Sequence, residues 1–181
     1  AFASNGRPAY YTNYGPGCNI AAPGGDYYSG STSKSKMDSR DETAILSTLP
    51  VEFQADDYYD GSGYGYMQGT SMACPHVSAV AALGLSYMKK LGRTSTPDEF
   101  KSMLLTSVRD IDRYCTGTAY YFDDYDRIQS LDVSARKGKM GTGAVDAWRM
   151  LMKVEGTPCV VLTAGEEQSI DLEPVFGGSY K

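Results

Sequence analysis

Nine consecutive residues, Gly69-Thr70-Ser71-Met72-Ala73-Cys74-Pro75-His76-Val77, carry the most chemistry in this sequence. They open a run rich in Ala, Val, Leu and Met that extends to Met88. Pro75 fits an early helical turn, where backbone N–H groups lack intrahelical partners. The run therefore reads as a helix with Ser71 at its mouth. Unpaired N–H groups and the positive helix end stabilise an oxyanion forming beside such a serine. Gly69 lets a substrate chain pass close to the backbone. The chemistry on offer is nucleophilic attack on a carbonyl. Serine is also a favoured N-cap, and the dipole by itself favours that plainer role.

A serine nucleophile needs a base within about 3 Å. His76 is the single histidine and lies five residues past Ser71. Helical geometry turns it about 140° away with a rise of about 7.5 Å. Its expected role is packing, with a ring N–H bonded to nearby backbone. A Ser–Lys pairing is formally open through Lys34, Lys36, Lys89 or Lys90, but these positions are polar or terminal and ill suited to a depressed pKa. Asn5, within Ser4-Asn5-Gly6-Arg7-Pro8, reads as a turn residue rather than an oxyanion donor.

Metal and redox chemistry have weaker footing. Asp56-Asp57-Asp60 and Asp123-Asp124-Asp126 could offer oxygen ligands to calcium, yet neither matches an EF-hand loop and solvated acidic turns are commoner. No cofactor is expected to be required. Cys18, Cys74, Cys115 and Cys159 contain no Cys-x-x-Cys, and four cysteines allow three complete pairings. A Cys115–Cys159 bridge is open in an oxidising compartment, while Cys74 reads as a small buried thiol.

The elements that must position Ser71 are legible in outline. Residues 10–12 and 19–22 read as short strands separated by the turn Asn13–Gly17, and residues 26–43 as an exposed loop. Ala44–Pro50 reads as a compact strand and residues 52–66 as polar loop. The Ser71 helix carries Val77, Ala81, Gly84 and Met88 on one stripe, widened by Ala73, Val80 and Ala82. So apolar a helix is expected to be buried centrally, with Gly92 as its stop. Thr96-Pro97-Asp98-Glu99 is a capping box opening a helix to about Val108, with Phe100, Met103, Leu104 and Ser107 inward. Residues 110–142 read as irregular. Gly143–Lys153 reads as a third helix bearing Val145, Trp148, Leu151 and Met152. Residues 159–162 and 169–172 resemble strands of a C-terminal β extension.

The 181 residues, 41% apolar, suit one domain with a small appendage. A net charge of −5 lacks the electrostatic footprint of a nucleic-acid binder. No apolar run is long enough for a membrane span. Ala1–Gly6 reads as the start of an excised or processed piece rather than a natural beginning.

The string Gly-Thr-Ser-Met-Ala-x-Pro-His-Val, followed by a small-residue helix, resembles the nucleophile signature of subtilisin-like serine proteases. Order agrees: Tyr11-Thr12-Asn13-Tyr14-Gly15, Ala22-Pro23-Gly24, Ile45-Leu46-Ser47-Thr48 and Gly141–Ala147 resemble the family's segments around that serine. The resemblance covers roughly residues 10–50, 64–109 and 138–153. Residues 26–43 and 54–63 are longer than in compact members. By resemblance, residues 1–153 are the C-terminal portion of the peptidase domain and 154–181 a β module or tail. The implied fold is α/β, a partial subtilisin-like fold with a mainly parallel sheet and the Ser71 helix through its middle. Ser71 is the implied catalytic nucleophile, with Gly69 and Thr70 beside the oxyanion and substrate. The family's order of Asp, His, then Ser places the Asp, the His and the side-chain oxyanion donor before Ala1.

The implied activity is secreted or cell-surface serine endopeptidase, acting on polypeptide together with the N-terminal part of the domain. The isolated chain is expected to be inactive, and faces left bare are expected to promote self-association. The alternative is a non-catalytic binding or structural module on the same scaffold, which loss of the upstream Asp and His would indicate.

Overall fold

The computed structural model describes residues 1–50 and 62–156, together with Gly165. The acidic run Asp56–Asp60, Cys159 and the expected C-terminal strands lie outside those residues. Three helices dominate: α1 (Thr70–Lys90), α2 (Pro97–Thr106) and α3 (Ala147–Glu155). Each has the ends its sequence dictates. At the close of α1, Gly92 sits at φ +67° and its N–H donates to Lys89 O, while Arg93 N–H donates to Met88 O. That pairing satisfies two carbonyls that the helix end would otherwise leave open. At the start of α2 the capping box forms, with Glu99 N–H donating to Thr96 Oγ1 and Thr96 N–H to the Glu99 carboxylate. The α3 cap is Asp146, which accepts the Arg149 N–H.

The helices pack through one apolar cluster. Met88 of α1 meets Met150 and Val154 of α3, with Val80, Tyr87, Phe100, Met103 and Leu104 around them. Gly84 makes this approach feasible: a Cβ there would lie 2.6 Å from Met150 Cε. A second cluster joins Ala21, Ile111, Cys115 and Met140, with Phe2 and Ala144 against it. It ties the N-terminal segment to the chain that leads into α3.

Strands are short and paired two by two. Strand β1 (Ile45–Thr48) runs antiparallel to β2 (Tyr64–Met67), β3 (Val108–Arg109) to β6 (Ala144–Val145), and β4 (Thr118–Phe122) to β5 (Ile128–Asp132). The expected mainly parallel sheet is therefore not formed among the described residues. Parallel pairing survives there as isolated bridges, Phe2 to Pro23 and Ala21 to Ala144. Pro23 has no N–H to extend the ladder.

Further expectations are corrected. Residues 10 and 11 form a turn rather than a strand, and 19–22 contribute one bridge. Tyr64–Tyr66, expected as loop, belong to β2, and the 110–142 region contains the β4–β5 hairpin. The third helix begins at Ala147, because Gly143 at φ +142° and the β6 strand precede it; its buried residues are Met150 and Val154, whereas Trp148 is 63% exposed.

The last correction concerns α1 itself, which is covered on one side only. Ala73, Gly84 and Met88 are buried, and Val77, Val80 and Ala81 half-buried. The opposite face exposes Cys74, Ala79 and Ala82, with Leu83 at 45% and Leu85 at 50% exposure. Cys74 is therefore an exposed thiol rather than a buried one. Packed on one side, α1 leaves those apolar residues unpartnered, with Ser78 and Ser86 exposed among them.

Candidate active site

Ser71 is the second residue of α1 and is exposed. The helix cap is Gly69, at φ +150° and ψ 165°, a conformation open to glycine and costly for other residues. Gly69 O accepts the first helical bonds, from Met72 N–H at 3.1 Å and Ala73 N–H at 3.3 Å. Ser71 is thus inside the first turn and is not the cap, which removes the plainer explanation for a serine there. The N–H groups of Thr70 and Ser71 have no acceptor among the described residues. Two donors at the positive end of a 21-residue helix therefore stand beside the serine oxygen.

Of the predicted site residues, Gly69, Thr70 and Ser71 lie together by sequence adjacency, with Gly69 half-buried and Thr70 exposed. His76 is turned away as expected. Its Nδ1 lies 2.7 Å from Met72 O, and a carbonyl acceptor requires that nitrogen to carry the proton. Asn5 performs turn chemistry: its Oδ1 accepts Arg7 N–H and its Nδ2 donates to Ser29 O. The Asp123 carboxylate is occupied by Arg127 and Gln129, and the Arg127 contact holds its pKa well below the usual range. Among the described residues no cluster of three His, Cys, Asp or Glu side chains could hold a metal ion.

The support under the Ser71 loop was not read from the sequence. Gly69 N–H donates to Gly24 O at 2.9 Å. The Tyr11 hydroxyl sits 2.8 Å from Gly24 O and 2.6 Å from Gly25 O, and burial pushes its pKa well up, so it stays a protonated donor. Gln68 Nε2 donates to the Tyr10 hydroxyl at 3.0 Å, and Gln68 Oε1 accepts Tyr27 N–H at 2.8 Å. Asp26, 4% exposed, accepts N–H groups from Tyr10 and Tyr28. Burial raises the Asp26 pKa against the pull of those two bonds. The one signal available was position: Gln68 directly precedes the glycine that opens Gly69-Thr70-Ser71.

A cavity of about 720 Å³ opens beside this support. Tyr27, Leu46, Tyr64, Met67 and Gln68 line it, with Asp41 at its edge. Strand β2 forms one wall and leads directly into the serine turn. The cavity's lining mixes aromatic, aliphatic and polar side chains and ends at Gln68, three residues before Ser71.

Similarity to known proteins agrees with this geometry. Over 105 residues the chain is 39% identical to an extracellular basic protease of Dichelobacter nodosus, covering 58% of this chain and 14% of that protein. It is 31% identical over 119 residues to an extracellular protease of Xanthomonas campestris, covering 65% and 16%. A subtilisin-like protease of Arabidopsis thaliana is 34% identical over 95 residues, covering 52% and 10%. The chain thus spans a small part of each relative's length. The Subtilase family profile matches residues 1–143, which carry the serine turn, its helix and its supports, and the chain belongs to that family.

Proposed function

We propose that this chain is the nucleophile-bearing part of a secreted serine endopeptidase. Ser71 Oγ attacks the scissile carbonyl, forming a C–O bond, and the C–N bond then breaks to leave an acyl-enzyme that water hydrolyses. The proton lost by Ser71 passes through a histidine of the full-length protein to the departing amine, and an upstream aspartate orients that histidine. The Ser71 N–H and an upstream amide side chain hold the oxyanion, and the Thr70 hydroxyl supports them. Secretion is in keeping with relatives named as extracellular proteases. One observation carries this reading: an exposed serine, inside a helix's first turn and not its cap, next to two unpaired N–H groups.

The isolated 181-residue chain is inactive on this proposal, because its one imidazole, five residues past Ser71, is carried about 140° around the helix and held there by its bond to Met72 O. A fluorophosphonate should label Ser71 stoichiometrically in the full-length protein and leave the isolated chain unlabelled. Equal labelling of both would defeat the dependence on upstream residues. Labelling of neither would favour a non-catalytic scaffold.

The bare face of α1 gives the isolated chain a second property. Leu83 and Leu85 border the uncovered side of α1, and burying them would favour association of two copies at high concentration. Sedimentation should show species larger than a monomer as concentration rises. A compact monomer throughout would contradict this.

A further inference from the structure

We propose that Gln68 is a positioning residue for Ser71, holding the nucleophile turn in register through Tyr10 and Tyr27. This rests on the serine-nucleophile reading and extends it to a residue outside the reacting atoms.

The need for such a residue follows from Gly69. Glycine has the widest backbone freedom of any residue, and here it sits two residues before the nucleophile at φ +150°. Its conformation alone does not fix the helix mouth relative to the rest of the protein. A displacement of about 1 Å at a nucleophile can cost about 100-fold in rate. The peptide entering Gly69 must therefore be tethered from outside α1.

Gln68 supplies that tether with both ends of its amide. The carbonyl oxygen accepts the Tyr27 N–H and the nitrogen donates a hydrogen bond to the Tyr10 hydroxyl. Tyr27 closes a loop of bonds by donating its own hydroxyl to Tyr66 O at 2.8 Å, on the strand that leads to Gln68.

Tyr10 is an unusually fixed anchor. Its N–H is held by the Asp26 carboxylate at 3.0 Å and its carbonyl by Arg136 Nη2 at 3.1 Å. Its ring stacks on Tyr121 of β4, with centroids 4.4 Å apart and planes at 19°. Arg136 is itself buried. Three separate stretches, the 26–43 loop, β4 and the turn containing Arg136, thus converge on one tyrosine whose hydroxyl meets Gln68. Both ends of the Gln68 amide are used, and rotating it would set Nε2 against the Tyr27 N–H, donor against donor.

The test uses the full-length protein and a small phosphonylating probe, diisopropyl fluorophosphate, which reports on Ser71 without filling the adjoining cavity. Gln68→Met keeps the side-chain length and removes both hydrogen bonds. It should slow phosphonylation and lower kcat by about 10- to 100-fold, with the melting temperature changed by only a few degrees. Tyr10→Phe keeps the ring stack and removes the anchor's oxygen; it should slow both by a smaller factor. The double variant should be no slower than Gln68→Met, because both substitutions cut the same link. Gln68→Met reacting within two-fold of wild type would overturn the proposal, as would multiplicative effects in the double variant. Loss of rate only in step with loss of fold would overturn it too. Failure of wild type to form a Ser71 adduct would instead sink the nucleophile reading, so the two failures are distinguishable.

Discussion

Replacing Ser71 with alanine in the full-length protein should lower kcat for peptide hydrolysis by on the order of 10⁶-fold, the scale set by subtilisin itself, a member of the same family. The reason is the loss of a covalent route. Without Oγ no acyl-enzyme forms, and direct attack by water must take over. What remains is the acceleration of about 10³-fold over water that donors and binding supply. The N–H groups of Thr70 and Ser71 survive the change because they belong to the backbone. Folding should survive as well, since Ser71 is exposed and Gly69, not Ser71, caps the helix. Substrate affinity should therefore change little, and the whole effect should fall on kcat. Steady-state hydrolysis of a peptide, paired with a thermal melt, reads both quantities. A correctly folded Ser71→Ala protein losing less than ten-fold would mean that the nucleophile lies elsewhere.

How much of this was open to sequence reasoning divides along physical lines. Helices α1 and α2 were legible because their signals are local: an apolar period, a capping box at Thr96 and a glycine stop at Gly92. The turn at Asn5 and the orientation of His76 were legible for the same reason, since each depends on residues within five positions. The β4–β5 hairpin was not. Its strands straddle the acidic turn Asp123–Asp126, where Asp126 takes φ +55°, and its aromatic face is explained only by Tyr10 and Tyr28, remote in sequence. The sheet was misjudged because apolar segments of two to four residues specify extended backbone without specifying a partner's direction. Trp148 shows the limit on burial: periodicity places it on a helix but cannot say whether anything covers it.

The site divides in the same way. The motif places Gly69, Thr70 and Ser71 together, because a helix cap and the two residues after it are set by local sequence. Tyr10, Tyr11, Gly24, Asp26 and Gln68 were missed, since each contributes through bonds spanning 13 residues or more. A glutamine just past a strand and a glycine after a proline have many uses in a sequence. Only their meeting around Gly69 gives these two a shared one.

Gly24→Ala should be the most damaging single methyl group near the site. A Cβ at position 24 would stand 2.7 Å from Gly69 O, 2.5 Å from Ala1 Cβ and 3.0 Å from the Tyr11 hydroxyl. No flexible side-chain end is available to yield at the first of these, because the obstructing atom is backbone. Gly69 O is also the acceptor of the first two helical bonds of α1. Pushing it away disturbs the turn that carries Ser71 and stretches the Gly69 N–H bond to Gly24 O together. Overpacking of this kind costs about 1–3 kcal/mol of stability, which a folded domain survives. The catalytic cost should be larger in proportion, about 100-fold in kcat/KM, because displacement falls on the nucleophile turn while the cluster that packs α1 on α3 is untouched. A Gly24→Ala protein that melts a few degrees low but hydrolyses peptide within three-fold of wild type would show that Gly24 serves chain packing alone. Slowed phosphonylation of Ser71 alongside that modest melt would locate its effect at the serine, where the two backbone segments touch.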